Sequence, residues 1–210
     1  HLKNQGYNVQ NYAYDNTTVS NLLAGVKVEA NTRTYPYNVD PDGKLRQLDL
    51  IDRNNGGFTP IYGLDKSMIV LSIGGNNFKV GAIGNSKMLF GTDCFFNSIV
   101  DSEFRANHER IIQRCKAQSS KVVLISMYLP FLGPNASYGV FSKFSKPIID
   151  RWLEYIRALG LKYNLPVLDL SRTLDCYNRA HYGITDIKPS DISTACIAKC
   201  IAFIYENYNG

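Results

Sequence analysis

The sequence predicts an α/β fold with a mainly parallel sheet, and three observations carry the prediction. The apolar runs at 67–73 (Ser-Met-Ile-Val-Leu-Ser-Ile) and 121–127 (Lys-Val-Val-Leu-Ile-Ser-Met) are continuous rather than alternating, which marks strands covered on both faces. After them come segments with apolar residues at helical spacing: Phe104, His108, Ile111, Ile112 and Cys115, then Ile148, Ile149, Trp152, Leu153, Ile156 and Leu159. Strand-like and helical segments alternate along the chain, as in a sheet with helices packed on it.

Residues 2–6 predict the end of a helix stopped by Gly6. A strand is expected over 7–14, with Val9, Tyr12 and Ala13 apolar. Asp15-Asn16-Thr17-Thr18 has the chemistry of a turn that caps a helix, and a short helix follows over 19–26 with Val19, Leu22, Leu23 and Val26 on one face. Residues 30–65 predict an insertion. Tyr35-Pro36-Tyr37-Asn38-Val39 and 44–50 flank Asp42-Gly43, a strong hairpin signal. Asp40, Asp42 and Gly43 resemble the start of a calcium loop, but the later ligands do not follow, so a turn is expected.

The run at 67–73 closes on Gly74-Gly75, and a mixed loop is expected over 81–91. A helix over 97–118 carries His108 in its apolar stripe, which reads as a packed histidine rather than a ligand or base. Residues 129–145 predict a loop rich in Pro, Gly and Ser, long enough to wall a site. The helix around Trp152 is expected to end at Gly160, and 165–170 to be the last strand. Ser190 should cap a final helix with the stripe Ile192, Cys196, Ile197, Cys200, Ile201 and Ile204.

At 210 residues and 45% hydrophobic composition, the chain fits one domain, 1–210, with a sizeable core. No apolar run reaches the roughly 18 residues a bilayer span needs, and the opening His-Leu-Lys-Asn-Gln lacks the apolar segment of a signal peptide. The net charge of +5 is scattered, without the basic stripe and interleaved aromatics of a nucleic-acid binder. Five cysteines occur without a C-x-x-C pair. Cys196 and Cys200, four apart on one helical face, read as small buried groups, since two thiols alone make a poor zinc site. Free thiols mildly favour a reducing compartment. The compartment itself stays open, because the sequons at Asn16 and Asn135 are no more than an Asn-rich chain yields by chance. No cofactor or metal is expected.

The most informative stretch is Leu71-Ser72-Ile73-Gly74-Gly75-Asn76-Asn77, a buried strand end presenting an amide just beyond a glycine turn. In open α/β sheets the chemistry lies outside the carboxyl ends of the strands. With Val9-Gln10-Asn11-Tyr12-Ala13-Tyr14-Asp15-Asn16 before it and Asp186-Ile187-Lys188-Pro189-Ser190 before the last helix, the chain resembles the SGNH (GDSL-type) hydrolases. That resemblance implies a flavodoxin-like three-layer α/β/α sandwich and a serine ester hydrolase. In such enzymes Ser attacks the ester carbonyl, His takes its proton, and the oxyanion is held by backbone amides and an Asn side chain. Gly74, Gly75 and Asn76 match the family's third block, with Asn77 in place of Asp. Asn16 takes the place of the second-block glycine, and Lys188 falls where the catalytic His would stand.

The resemblance therefore assigns Asn76, Gly75 and the Asn16 amide to oxyanion binding. His181 and Asp186 are the candidates for the base and its partner. Two family motifs are absent: no Gly-Asp-Ser occurs, nor Asp-x-x-His near the C-terminus. The first strand of the 2-1-3-4-5 order, which would carry the serine, is not found. Its loss would leave buried strand edges unpaired. The chain is accordingly expected to begin inside a longer polypeptide, the first strand coming from the same or another chain. Two functions compete: hydrolysis of an acyl ester or acetylated sugar, and a degenerate hydrolase kept as a binding or scaffolding subunit. A flavodoxin-type cofactor protein would need a phosphate-binding turn that is not seen.

Overall fold

A computed structural model describes residues 1–13, 17–27, 44–51, 67–82, 86–136, 142–184 and 188–210. Three strands form a parallel sheet in the order 68–71, 121–125, 167–168. Mixed α/β architecture with a parallel sheet is thus what the apolar runs foretold, although each strand is shorter than its run.

Elements are named in chain order. Helix α1 (Val19–Ala24) starts on Thr18, whose hydroxyl accepts from the Asn21 N–H. It ends two residues earlier than expected, at Gly25 with φ +89°, because Val26 enters a strand. β1 (Val26–Lys27) pairs antiparallel with β2 (Lys44–Leu45). Lys44 and Leu45 therefore take Val26–Lys27 as their partners, and the expected strand over 44–50 stops after two residues. A 3-10 turn (Asp49–Ile51) follows. The expected partner strand at 35–39, the Asp42-Gly43 turn and the alternative calcium loop lie outside the described residues.

β3 (Met68–Leu71) leads through Gly74 into α2 (Gly75–Ala82). Gly74 has φ +112°, and a Cβ there would lie 2.2 Å from Trp152 Cη2. Both backbone and packing demand glycine at that point. The single helix expected over 97–118 is two: α3 (Thr92–Ile99) and α4 (Ser102–Gln118). The break falls where Asp101 caps α4, its carboxylate accepting from the Phe104 N–H at 2.8 Å.

β4 (Lys121–Ile125) is the middle strand. Val122 and Leu124 enter one core cluster while Val123 and Ile125 enter another, so both faces are covered, as period-two geometry requires. α5 (Ser142–Tyr163) runs through Gly160 instead of ending there. A Cβ at Gly160 would lie 2.6 Å from Val167 Cγ2 and 3.0 Å from the Leu165 carbonyl. The glycine marks close helix–strand approach rather than a stop. β5 (Val167–Leu168), α6 (Leu170–Thr173) and α7 (Asp191–Asn207) complete the chain.

Two further expectations fail. Residues 7–13 form no strand: Tyr7 sits edge-on to Tyr205 and donates to Glu206 from its hydroxyl, and Tyr12 offers its carbonyl to Gln47. Before them, Lys3–Gln5 makes a 3-10 turn ended by Gly6 at φ +88°, as the glycine stop foretold. On α7, Ile192 is 67% exposed and Cys196 is exposed. The fully buried residues of α7 are Ser193, Ala198 and Ala202, with Ile197, Cys200, Ile201 and Ile204 partly buried. Small residues let α7 approach closely, which a count of large apolar residues misses.

Candidate functional site

The carboxyl ends of β3, β4 and β5 share one end of the sheet because all three strands are parallel. Two polar clusters gather there. At the β3 end, the left-handed turn at Gly74 places Asn76 and Asn77 in the first turn of α2. Asn76 Nδ2 donates to the Thr17 carbonyl at 3.1 Å, and Asn77 Oδ1 accepts from the Val19 N–H at 3.0 Å. This pair of bonds ties α2 to the start of α1 and fixes the orientation of both amides.

An Asn amide carries two N–H donors. Thr17 occupies one on Asn76, which leaves the second fixed in direction and able to meet an incoming acceptor. Asn77 serves as an acceptor here, which the side-chain oxygen of an aspartate would also do. Gly75 is exposed, and a Cβ there would meet Met127 Sδ at 3.3 Å.

At the ends of β4 and β5, Ser126 and Asp169 form a second polar cluster that sequence reasoning overlooked. Ser126 Oγ accepts from the Leu170 N–H at 3.0 Å and lies 3.4 Å from Asp169 Oδ1. The Asp169 carboxylate also takes the Ser171 N–H at 3.0 Å and the Arg157 guanidinium at 3.0 Å, with Arg172 at 3.4 Å. Ser126 Oγ also reaches the Met127 carbonyl at 3.1 Å, so the cluster's polar atoms are engaged in holding the strand ends and the start of α6. The signal was available: a polar residue directly follows each buried run.

The remaining expected site residues divide. Asn16 and Asp186 lie outside the described residues. Asn16's neighbour Thr17 is the residue that holds Asn76. Lys188 is exposed, and its carbonyl accepts from the Gly183 N–H at 2.8 Å. His181 ends a 3-10 turn (Arg179–His181) and is bound into its own loop. Its Nδ1 accepts from the Asp175 N–H at 2.9 Å, while its carbonyl takes the Ser190 N–H and the Ser193 hydroxyl. With the Nδ1 lone pair engaged, the ring's proton belongs on Nε2. Its hydrogen bonds among the described residues do not reach the Asn76 corner.

His108, the other internal histidine, is packed rather than catalytic in its surroundings. It is 1% exposed, stacked 6.0 Å from Trp152 at 13°, with the Tyr155 hydroxyl 3.3 Å from Nδ1. Burial pushes its pKa down to about 4, against a small opposing pull from Glu109. The Cys115 thiol on the same helix face is pushed up to about 12 by burial, so it is inert. Cys196 is exposed and Cys200 half-buried, contrary to the expected pair of buried groups. No group of three or more metal-ligating side chains is found among the described residues, nor a helix long and apolar enough to cross a membrane. No family model, curated protein or solved structure matches this chain.

Proposed function

We propose that the corner formed by Gly74, Gly75, Asn76 and Thr17 is the oxyanion pocket of an SGNH-like ester hydrolase. The substrate would be an acyl ester or an acetylated sugar, and the nucleophilic serine would lie outside these 210 residues. The observation that carries the reading is the Asn76–Thr17 bond. It links the two sequence blocks, around 16 and around 76, that the family uses together to hold the oxyanion. It also leaves one Asn76 N–H for the substrate oxygen. Such a donor stabilises the charge that develops on the carbonyl oxygen as the nucleophile adds.

The test is p-nitrophenyl acetate turnover by the native protein. Asn76→Ala should lower kcat by about 10²–10³, and a fluorophosphonate probe should label one serine. A second reading, a binding or scaffolding module on the same fold, is favoured by His181: its Nδ1 is engaged in its own loop, and exposed Lys188 stands where the base would be. Background turnover in both proteins, with no labelled serine, would decide for that second reading.

A further inference from the structure

α7 is apolar on the side it turns to solvent as well as on the side it packs. Its 17 residues carry three charged side chains, Asp191, Lys199 and Glu206. α4 has the same length and carries six, with Glu103, Arg105, Arg110 and Lys116 exposed. A surface helix ordinarily sets such residues opposite its core face. On α7 that place is taken by Ile192, Cys196, Lys199 and Phe203, which fall within about 60° of one another around the axis. Ile192 and Phe203 are 67% and 66% exposed, and Cys196 and Lys199 are exposed as well. Ala195 and Cys200, both half-buried, flank the stripe. It lies on the far side of the helix from Ile197 and Ile201, which border the core.

The stripe is complementary to itself. Its spacings of four, three and four residues are the same read from either end. Two copies of α7 laid antiparallel about the midpoint, between Ile197 and Ala198, bring Ile192 against Phe203 twice and Cys196 against Lys199 twice. Small residues, Ala195 and Cys196, stand near the centre and let the backbones approach. The Lys199 stem covers apolar surface while its ammonium stays in water at the border of the contact. Lys188, two residues ahead of the Ser190 cap, comes to the level of Glu206 on the other copy at each end. Both are exposed and their charges are opposite. Glu206 accepts from the Tyr7 hydroxyl through one carboxylate oxygen, and a carboxylate has a second to offer. A parallel pair would instead set Lys199 against Lys199 and Glu206 against Glu206, which repel.

We propose that the outward face of α7 is a two-fold dimer interface, occupied by the antiparallel α7 of a second copy of this chain. The same patch serves on both copies, so the contact closes at two and leaves no sticky end. Two helices of this length bury an area at the low end of specific interfaces, below about 1,200 Å². The dimer is therefore a weak one, dissociating in roughly the micromolar range or above. The interface uses no residue of the Asn76 corner, so it and the proposed function can fail separately.

Sedimentation equilibrium of the whole chain, taken up to roughly millimolar concentration, should show monomer and dimer in exchange. Ile192→Lys and Phe203→Glu should each raise the dimer Kd by at least about tenfold. Their melting temperatures in dilute solution should stay at the native value, since both side chains are two-thirds exposed in the monomer. Combined in one chain, the two substitutions should recover most of the lost affinity, because the antiparallel register sets each new lysine against a new glutamate. A short bismaleimide gives a check that needs neither variant. In a Cys94→Ser background, which removes the other exposed thiol, it should join two copies through Cys196, and the further change Cys196→Ser should abolish the product. A monomer at every concentration overturns the proposal. So do single variants that dimerise as tightly as the native chain, a double variant that recovers nothing, or a cross-link that survives Cys196→Ser.

Discussion

On one face of the sheet Trp152 is fully buried among Phe78, Phe104, His108 and Tyr155, with ring centroids 5.4–6.0 Å apart. On the other face Ile197 and Ile201 line an open groove and Val70 meets solvent. The first face is closed by α4 and α5, whose apolar stripes come from long, periodic segments of this chain. The second is closed only in part by α7. The contrast teaches that helical periodicity was enough to build one layer, while α7, with Ile192 and Cys196 exposed, covers the other only in part.

The strongest test of the closed face is Trp152→Ala, which should cost about 3–5 kcal/mol in chemical denaturation. Trp152→Phe should cost less, because the ring it keeps leaves a smaller cavity, while the indole N–H it removes is buried without a partner among the described residues. A small loss from the alanine variant would mean this face is no better filled than the groove. A matched pair of isoleucines sharpens the point. Ile111 is 0% exposed on α4, and Ile111→Ala should cost about 2–5 kcal/mol. Ile201 borders the groove, and Ile201→Ala should cost roughly half as much or less, because its side chain is already partly wet. Equal losses would show that the groove is closed in solution.

His108 offers a pH test of the same face. Its folded pKa is depressed to about 4, below the ordinary value of 6.5. Protons therefore favour the unfolded chain: stability from this residue is complete above pH 6.5 and declines as pH falls toward 4. By pH 5 the loss should be about 2 kcal/mol. His108→Phe should flatten that part of the stability–pH curve, measured by urea midpoints from pH 7 to 5. An unchanged slope would place the histidine's proton exchange in open solvent and break the account of a sealed layer.

How far the sequence disclosed these things depends on whether the cause was local. The buried runs at β3 and β4, the stop at Gly6 and the caps at Thr18 and Ser190 were legible because each rests on neighbours in sequence. Gly160 misled because a glycine that permits contact with Val167 looks the same as one that ends a helix. The strand at 7–14 failed because a strand exists only through its ladder partner, and none of the described residues supplies one. At the candidate site Asn76 was visible beyond its glycines. The Thr17 carbonyl that aims it was not, since a backbone acceptor 59 positions away leaves no mark in composition.

The smallest expected effect compares the caps of the helices on the two faces. Asp101 accepts from Phe104 N–H at 2.8 Å at the start of α4, and Ser190 accepts from Ser193 N–H at 3.3 Å at the start of α7. Either residue replaced by alanine should cost about 1 kcal/mol. Ser190 also donates to the Ala180 carbonyl at 2.6 Å, in the loop that carries His181. If Ser190→Ala costs clearly more than Asp101→Ala in thermal unfolding, the excess belongs to that loop contact. α7 would then be held mainly from its amino end, and the groove beside Ile197 and Ile201 would stay open because little else pulls the helix onto the sheet. Equal costs would instead place the hold on α7 in its buried residues Ser193, Ala198 and Ala202.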